Sequence, residues 1–337
     1  MTINISILGL DKIGSSIGLA LGKYSEEFHR TGYDPYKSRR KIHTTKGSLD
    51  SREKDIESCV KEADVIILNL PLEMIKQSLH TIKNHIRSET VIVCISPAKV
   101  IVNTWVNEIL GNSVHFIGME FLLPPRLMKE FDIADTVASS SLLEDNLAAI
   151  AIPPDTGEDV LKLATGLCSR LGAIPYFCDM LEMDGMVATT RILPQLVSSA
   201  LLNATLNSPG WQETTKSTGT EYALAISAIA DNEEHNGLSP SSILVKEHIL
   251  RGLDSVIASL LELKIAIAEE DTEQLDELLE HARIGRLKWW KKRTTRQSKS
   301  NDQSSISMPP KGEYWKQLLG LSGRKPKYPE TDKKDKS

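Results

Sequence analysis

The sequence predicts an α/β domain built on a parallel sheet, followed by an all-helical domain. Three observations predict it. Over residues 1–118, short apolar runs alternate with stretches of helical periodicity. A turn marked by Gly9 and Gly14 closes the first run and opens the first helix. From about residue 179, apolar residues recur at helical spacing alone, with no strand signal.

The first run, Ile3–Leu8, is broken only by Asn4 and Ser6. It leads into Gly9-Leu10-Asp11-Lys12-Ile13-Gly14 and then a helix start rich in small residues, Ser15 to Leu21. Further strands are predicted over 29–33, 64–70, 90–95 and 113–117, with helices near 13–25, 52–62, 72–86 and 98–110. Strands this apolar are buried on both faces, as in a parallel sheet covered by helices. The run Ala63-Asp64-Val65-Ile66-Ile67-Leu68-Asn69-Leu70-Pro71 reads as a fourth strand whose carboxyl end, Leu70 and Pro71, faces a ligand crevice. Residues 119–154 read as loop, short helix and one more strand, Leu147–Ile152. A helix over Thr156–Leu171 and an extended Ile174–Cys178 follow, so the first domain spans 1–178.

The helical domain spans 179–291, with helices over Met180–Leu206, Thr220–Ala230, Pro240–Ala268 and Thr272–Lys291. Ser239 is the expected N-cap of the third, with Pro240 at its first position. Long apolar helices of this kind predict a homodimer formed through this domain. Residues 292–337 are rich in Ser, Lys and Pro and predict a basic, disordered tail, with one short amphipathic segment at 314–321.

The opening segment has the layout of a Rossmann-type dinucleotide-binding unit: strand, glycine turn, helix, strand. It ends at Gly32-Tyr33-Asp34, about 20 residues past the glycines, where a carboxylate meets ribose hydroxyls. Gly9, Leu10, Asp11, Lys12, Ile13, Gly14 and Asp34, with Leu70 and Pro71, are therefore the candidate contacts to NAD or NADP. Lys37, Arg39 and Arg40 follow Asp34 closely and suit either a 2′-phosphate or plain solvent. One residue breaks the G-x-G-x-x-G pattern. Its middle glycine lets the backbone approach the pyrophosphate, and here that place holds Asp11. A carboxylate there adds bulk and like charge where the phosphates belong.

Composition bounds the rest. The 337 residues are 40% hydrophobic and 25% charged, with a net charge of −5, which gives no nucleic-acid signal for the chain as a whole. Residues 291–337 hold 13 Lys/Arg against 5 Asp/Glu, so the tail is +8 and the remainder −13. The tail reads as a solvated segment before it reads as a polyanion contact. Four separated cysteines, with no C-x-x-C pair, read as reduced thiols of a cytoplasmic protein. No apolar run reaches the roughly 18 residues of a membrane span. The amino terminus lacks a basic leader and is itself the first strand.

These segments resemble the prephenate and arogenate dehydrogenases over roughly residues 3–290. Ile7-Leu8-Gly9-Leu10 with Ile13-Gly14-Ser15-Ser16 is similar to the family's first strand and turn, and the 63–71 run to its fourth strand. Phe116-Ile117-Gly118 starts like F-V-G-G-H-P-M-A-G. The stretch Leu142-Leu143-Glu144-Asp145-Asn146 with Ile152-Pro153 resembles the lead into the last strand. Asp184, Ala188 and Leu193-Pro194 resemble H-D-x-x-x-A-x-x-S-H-L-P-H, and Gly210-Trp211-Gln212-Glu213-Thr214-Thr215-Lys216 resembles G-F-R-D-x-T-R. The resemblance implies an NAD(P)-binding domain, a helical dimerisation domain and an oxidative decarboxylation in tyrosine biosynthesis, with a histidine taking the substrate's hydroxyl proton.

This chain departs from the family pattern at those functional positions. The histidine position holds Glu120. The D-x-G-S-x-K segment reads Cys94-Ile95-Ser96-Pro97-Ala98-Lys99, with Ser96 beside the serine position. The S-H-L-P-H run reads Arg191-Ile192-Leu193-Pro194-Gln195, and the arginine that would clamp a substrate carboxylate is Lys216, which offers a point charge instead of a fork. Glu120, Ser96 and Lys99 are thus the candidate catalytic residues, and Arg191, Gln195 and Lys216 the candidate substrate contacts. Glu120 beside a dianionic substrate opposes binding unless it is protonated or paired with Arg126, Lys129 or Arg191. Three functions stay open at this point: a dehydrogenase with an altered site, a non-catalytic dimeric sensor or scaffold, and a dehydrogenase or reductase of another small molecule.

Overall fold

A computed structural model describes residues 2–36, 47–122, 138–229 and 237–299. Eight strands form one sheet in the order β3-β2-β1-β4-β5-β6-β7-β8. They are β1 (Ile3–Leu8), β2 (Phe28–Tyr33), β3 (Ser51–Arg52), β4 (Val65–Leu68), β5 (Val91–Cys94), β6 (His115–Leu122), β7 (Leu147–Ala151) and β8 (Ile174–Phe177). The order 3-2-1-4-5-6 is that of a Rossmann sheet, and the crevice for a ligand lies beyond the carboxyl ends of β1 and β4.

The strands read as apolar runs because both of their faces are covered. In β4, Val65 and Ile67 join the core on one side of the sheet, and Ile66 and Leu68 the core on the other. Helices α1 (Lys12–Leu21), α2 (Ile56–Val60), α3 (Leu72–Ile82), α4 (Lys99–Leu110) and α5 (Glu158–Arg170) supply the covering layers. Arg30 on β2 is buried and joins the layers. Its Nε and NH2 donate to the two oxygens of Asp50 (2.9 and 2.6 Å), and its NH1 donates to the carbonyls of Gly18 and Gly47 (2.7 and 2.9 Å).

The sheet is parallel from β3 through β6, as expected, and β7 joins it antiparallel to β6. One expectation is corrected here: β6 extends to Leu122, five residues past the expected end at 117. Gly118 and Glu120 hide this extension in the sequence. Gly118 is small because a Cβ there would lie 3.2 Å from Cγ of Lys99 and 3.3 Å from the carbonyl of Ala151. Glu120 is a charged residue inside a strand, tolerated because it is ion-paired.

Beyond β8 every described element is helical. Helix α6 (Met180–Val187) passes through a π-turn (Ala188–Ile192) into α7 (Leu193–Leu206), so Met180–Leu206 is one interrupted helix as expected. The short α8 (Trp211–Thr214) and α9 (Thr220–Ile226) follow, then α10 (Leu238–Leu244), α11 (Lys246–Ala268) and α12 (Thr272–Lys299). Ser239 is not an N-cap: α10 starts one residue earlier, after Gly237. The last helix runs to Lys299 and not to 291. No Gly or Pro interrupts it there.

All four cysteines are free thiols, and Cys59, Cys94 and Cys168 are buried. Burial pushes their pKa up to about 12, 11 and 12, so they stay protonated. No described helix is long and apolar enough to cross a membrane. Among the described residues no cluster of His, Cys, Asp and Glu could hold a metal ion.

Candidate active site

The glycine turn is built as the sequence implies. Gly9 has φ +98°, and a Cβ there would lie 2.1 Å from the carbonyl of Asn69. A Cβ on Gly14 would lie 2.0 Å from the carbonyl of Gly9. Only hydrogen fits at either position, so β1, β4 and the start of α1 pack close enough to form a dinucleotide cradle. Leu10 is fully buried, and Leu70 closes the end of β4. Pro71 precedes α3.

Within the cradle, Asp11 is the N-cap of α1. Its Oδ1 accepts from the amides of Ile13 and Gly14 (both 2.9 Å) and from Nδ2 of Asn69 (2.6 Å). Asp34 stands at the end of β2, as expected. It is buried, however, and its carboxylate accepts from the amides of Leu10 (2.7 Å) and Tyr36 (2.8 Å), bracing the turn. The cradle therefore fits a dinucleotide in its backbone, with one side chain, Asp11, placed where a phosphate would draw on the helix start. Lys37, Arg39 and Arg40 lie outside the described residues.

A second cluster forms between the sheet and the helical half. Lys99 opens α4 and is completely buried. Its Nζ donates to the carbonyls of Ile95 (3.1 Å) and Ser96 (2.7 Å) and to Oε2 of Glu120 (3.0 Å), so all three ammonium protons are matched. The other carboxylate oxygen of Glu120 accepts from NH1 of Arg191 at 3.1 Å. Arg191 belongs to the π-turn, and its side chain is 58% exposed while that of Glu120 is 8% exposed. Lys99, Glu120 and Arg191 together carry one net positive charge.

Asp184 fixes the geometry of this cluster. Ala98, before α4, has φ +62° and no side-chain oxygen to cap the helix. Asp184 reaches across from α6 and accepts from the amides of Lys99 (2.6 Å) and Val100 (3.0 Å). Burial raises its pKa above the ordinary carboxylate range, while the two amides and nearby Lys99 pull it down.

The structure thus brings Ser96, Lys99, Glu120 and Arg191 together. The hydroxyl of Ser96, however, donates to the carbonyl of Leu70, linking the ends of β4 and β5. Gln195 is half-buried and donates to the carbonyl of Arg191 one turn back (2.7 Å). Lys216 lies on the surface, paired with Glu213 at 2.7 Å, and no contact among the described residues joins it to Glu120 or Arg191. The alternative partners of Glu120, Arg126 and Lys129, lie outside the described residues. Sequence reasoning did not assign roles to Asn69 and Asp184. An asparagine at the end of the fourth strand and a lone Asp in an apolar helix were the available signals.

A Rossmann-type sheet, a glycine cradle and an ion-paired crevice against a helical half define a nucleotide-binding oxidoreductase fold. The chain is similar to the prephenate dehydrogenases. Residues 17–122 match the family profile described as prephenate dehydrogenase, nucleotide-binding domain. The prephenate dehydrogenase of Bacillus subtilis (strain 168) is 25% identical over 284 residues, which cover 80% of this chain and 72% of that protein. Among solved structures, prephenate dehydrogenase from A. aeolicus in complex with hydroxyphenyl propionate and NAD+ superposes with a TM-score of 0.72 at 18% identity, covering 86% of this chain and 98% of that one. Synechocystis arogenate dehydrogenase gives a TM-score of 0.65 at 18% identity, covering 85% and 100%. At such identities these two structures establish the shared fold.

Proposed function

We propose that this protein is an NAD(P)-dependent oxidoreductase that oxidises a small carboxylate bearing a ring hydroxyl, of the prephenate or arogenate kind, as a step of tyrosine biosynthesis. The observation that carries the reading is the Lys99–Glu120–Arg191 cluster. Three separate elements converge on it, and one cation, Arg191, is half in solvent at its mouth. The likeness to prephenate and arogenate dehydrogenases supports the same substrate class.

The backbone of the glycine turn, with Asp34, Leu70 and Pro71, would hold the nucleotide, which when bound supplies a hydride acceptor. Arg191 binds the substrate carboxylate as a fork. Glu120 takes the hydroxyl proton in place of histidine. Both of its oxygens face cations. A substrate carboxylate draws Arg191 away and turns Oε1 toward the crevice, while Lys99 holds Oε2 and fixes the group's orientation.

The test is calorimetric titration with NAD+ and NADP+, followed by turnover of prephenate and arogenate. Absence of both binding and turnover defeats the reading. Within it, Arg191→Ala is expected to raise KM about 10–100-fold, the worth of one charge-assisted hydrogen bond. An unchanged KM removes Arg191 from the substrate site. The position of Asp11 on the helix amides favours a second reading, a non-catalytic relative that scaffolds as a dimer. It predicts an intact dimer without turnover.

We also infer a homodimer through the helical half. Leu250, Ile257, Leu260, Leu261 and Ile265 on α11 and Leu279 on α12 are each about half exposed, more apolar surface than a lone helix pair leaves to water. Sedimentation should give a dimer, and Ile257→Asp with Leu260→Asp should shift it toward monomer; a dimer that survives both places the interface elsewhere. Free thiols suit a reducing compartment, and we assign the protein to the cytoplasm.

A further inference from the structure

We propose that the Asp11 carboxylate is the resident anion of the phosphate position, and that a dinucleotide binds only by displacing it. The proposal rests on the oxidoreductase reading above and concerns how its nucleotide enters. The positive pole of a helix and its free amides are what an anion seeks at a glycine turn. In α1 the amides of Ile13 and Gly14 already converge on a single oxygen of Asp11, and Asn69 from the end of β4 donates to the same oxygen. A phosphate drawing on those donors would stand against a like charge. The backbone has no room to yield, because Gly9 and Gly14 are packed against the carbonyls of Asn69 and Gly9. The side chain of Asp11 can yield, since the residue is only half-buried and turns about its own bonds. Nucleotide binding therefore costs the protein its helix cap, and Asp11 sets the affinity.

The experiment measures Kd for NAD+, NADP+ and ADP-ribose by calorimetry on the full chain and on Asp11→Asn and Asp11→Gly, with the melting temperature of each protein free of ligand. Asp11→Gly should bind all three at least tenfold more tightly than the wild type. Asp11→Asn keeps a capping oxygen without the charge and should fall between. The ligand-free melting temperature should drop in Asp11→Gly, because the cap is lost. A less stable protein that binds more tightly is not the signature of general stabilisation. If Asp11→Gly does not fold, Asp11→Asn decides alone, by tightening or by failing to tighten. Equal or weaker affinity in the variants, with measurable binding throughout, overturns displacement and leaves the oxidoreductase reading standing. No binding by any of the three proteins overturns both.

Discussion

Lys99→Met is expected to lower the free energy of unfolding by about 3–5 kcal/mol, read from urea denaturation at neutral pH. Lys99 is fully enclosed, and its ammonium group faces Glu120 and two carbonyls. Removing it leaves a buried carboxylate with Arg191 alone, and Arg191 is mostly in water. The carbonyls of Ile95 and Ser96 lose their donor at the same time, which adds to the loss. Replacing both partners, Lys99→Met with Glu120→Leu, should recover most of it, because a whole buried ion pair exchanged for apolar groups of similar size is close to neutral. The cycle of single and double variants then reports the pair directly. A single-variant cost below about 1 kcal/mol would mean that water reaches the pair and that the crevice floor is not dry. The same double variant should fold yet lose turnover, separating what the pair does for the fold from what Glu120 does for the chemistry.

The parts of this molecule legible in its sequence are those whose physics is local. β4 is buried on both faces, so it is apolar at every position and its ends are marked by Asp64 and Asn69. The glycine turn is legible because Gly9 and Gly14 answer to distances under about 2.2 Å that no Cβ could occupy. β6 is legible only as far as Ile117. Beyond it, Gly118 makes room for Lys99 and Glu120 answers to Lys99 and Arg191, and both residues look like the end of a strand. The antiparallel direction of β7 leaves no trace in an apolar run, because burial alone selects its residues. At the site, Glu120, Ser96 and Lys99 were found through the resemblance. Arg191 is legible as a possible partner of Glu120, but two contacts made across the chain are not: Asp184 caps α4 from 85 residues away, and Asn69 meets Asp11 from 58 residues away. Lys216 shows the converse: a position carried over from a motif lies on the surface beside Glu213.

Asp50→Ala is the other large effect expected, a loss of about 3–5 kcal/mol. The guanidinium of Arg30 is buried against β2, and both Nε and NH2 are directed at Asp50. Without the carboxylate, a desolvated cation retains only the carbonyls of Gly18 and Gly47. The Asp50 side chain is 29% exposed, so some water can follow the deletion and the lower end of the range is the better expectation. The pair also fixes an acid limb. The Arg30 guanidinium, chiefly through its side-chain hydrogen bonds, holds the Asp50 pKa below the ordinary carboxylate range. The folded protein therefore binds that proton less readily than the unfolded chain. The contribution is complete above the unfolded pKa, near 4, and is lost as pH falls through the lower folded value. Asp184 acts with the opposite sign: burial raises its pKa, so its charged form weighs against the fold as pH rises from the ordinary carboxylate value through the folded one. Urea midpoints measured between about pH 2 and 6 should therefore converge for wild type and Asp50→Ala at the acid end and separate above about pH 4. Parallel profiles across that range would show that Asp50 does not compensate Arg30, and would leave the guanidinium balanced by the backbone carbonyls alone.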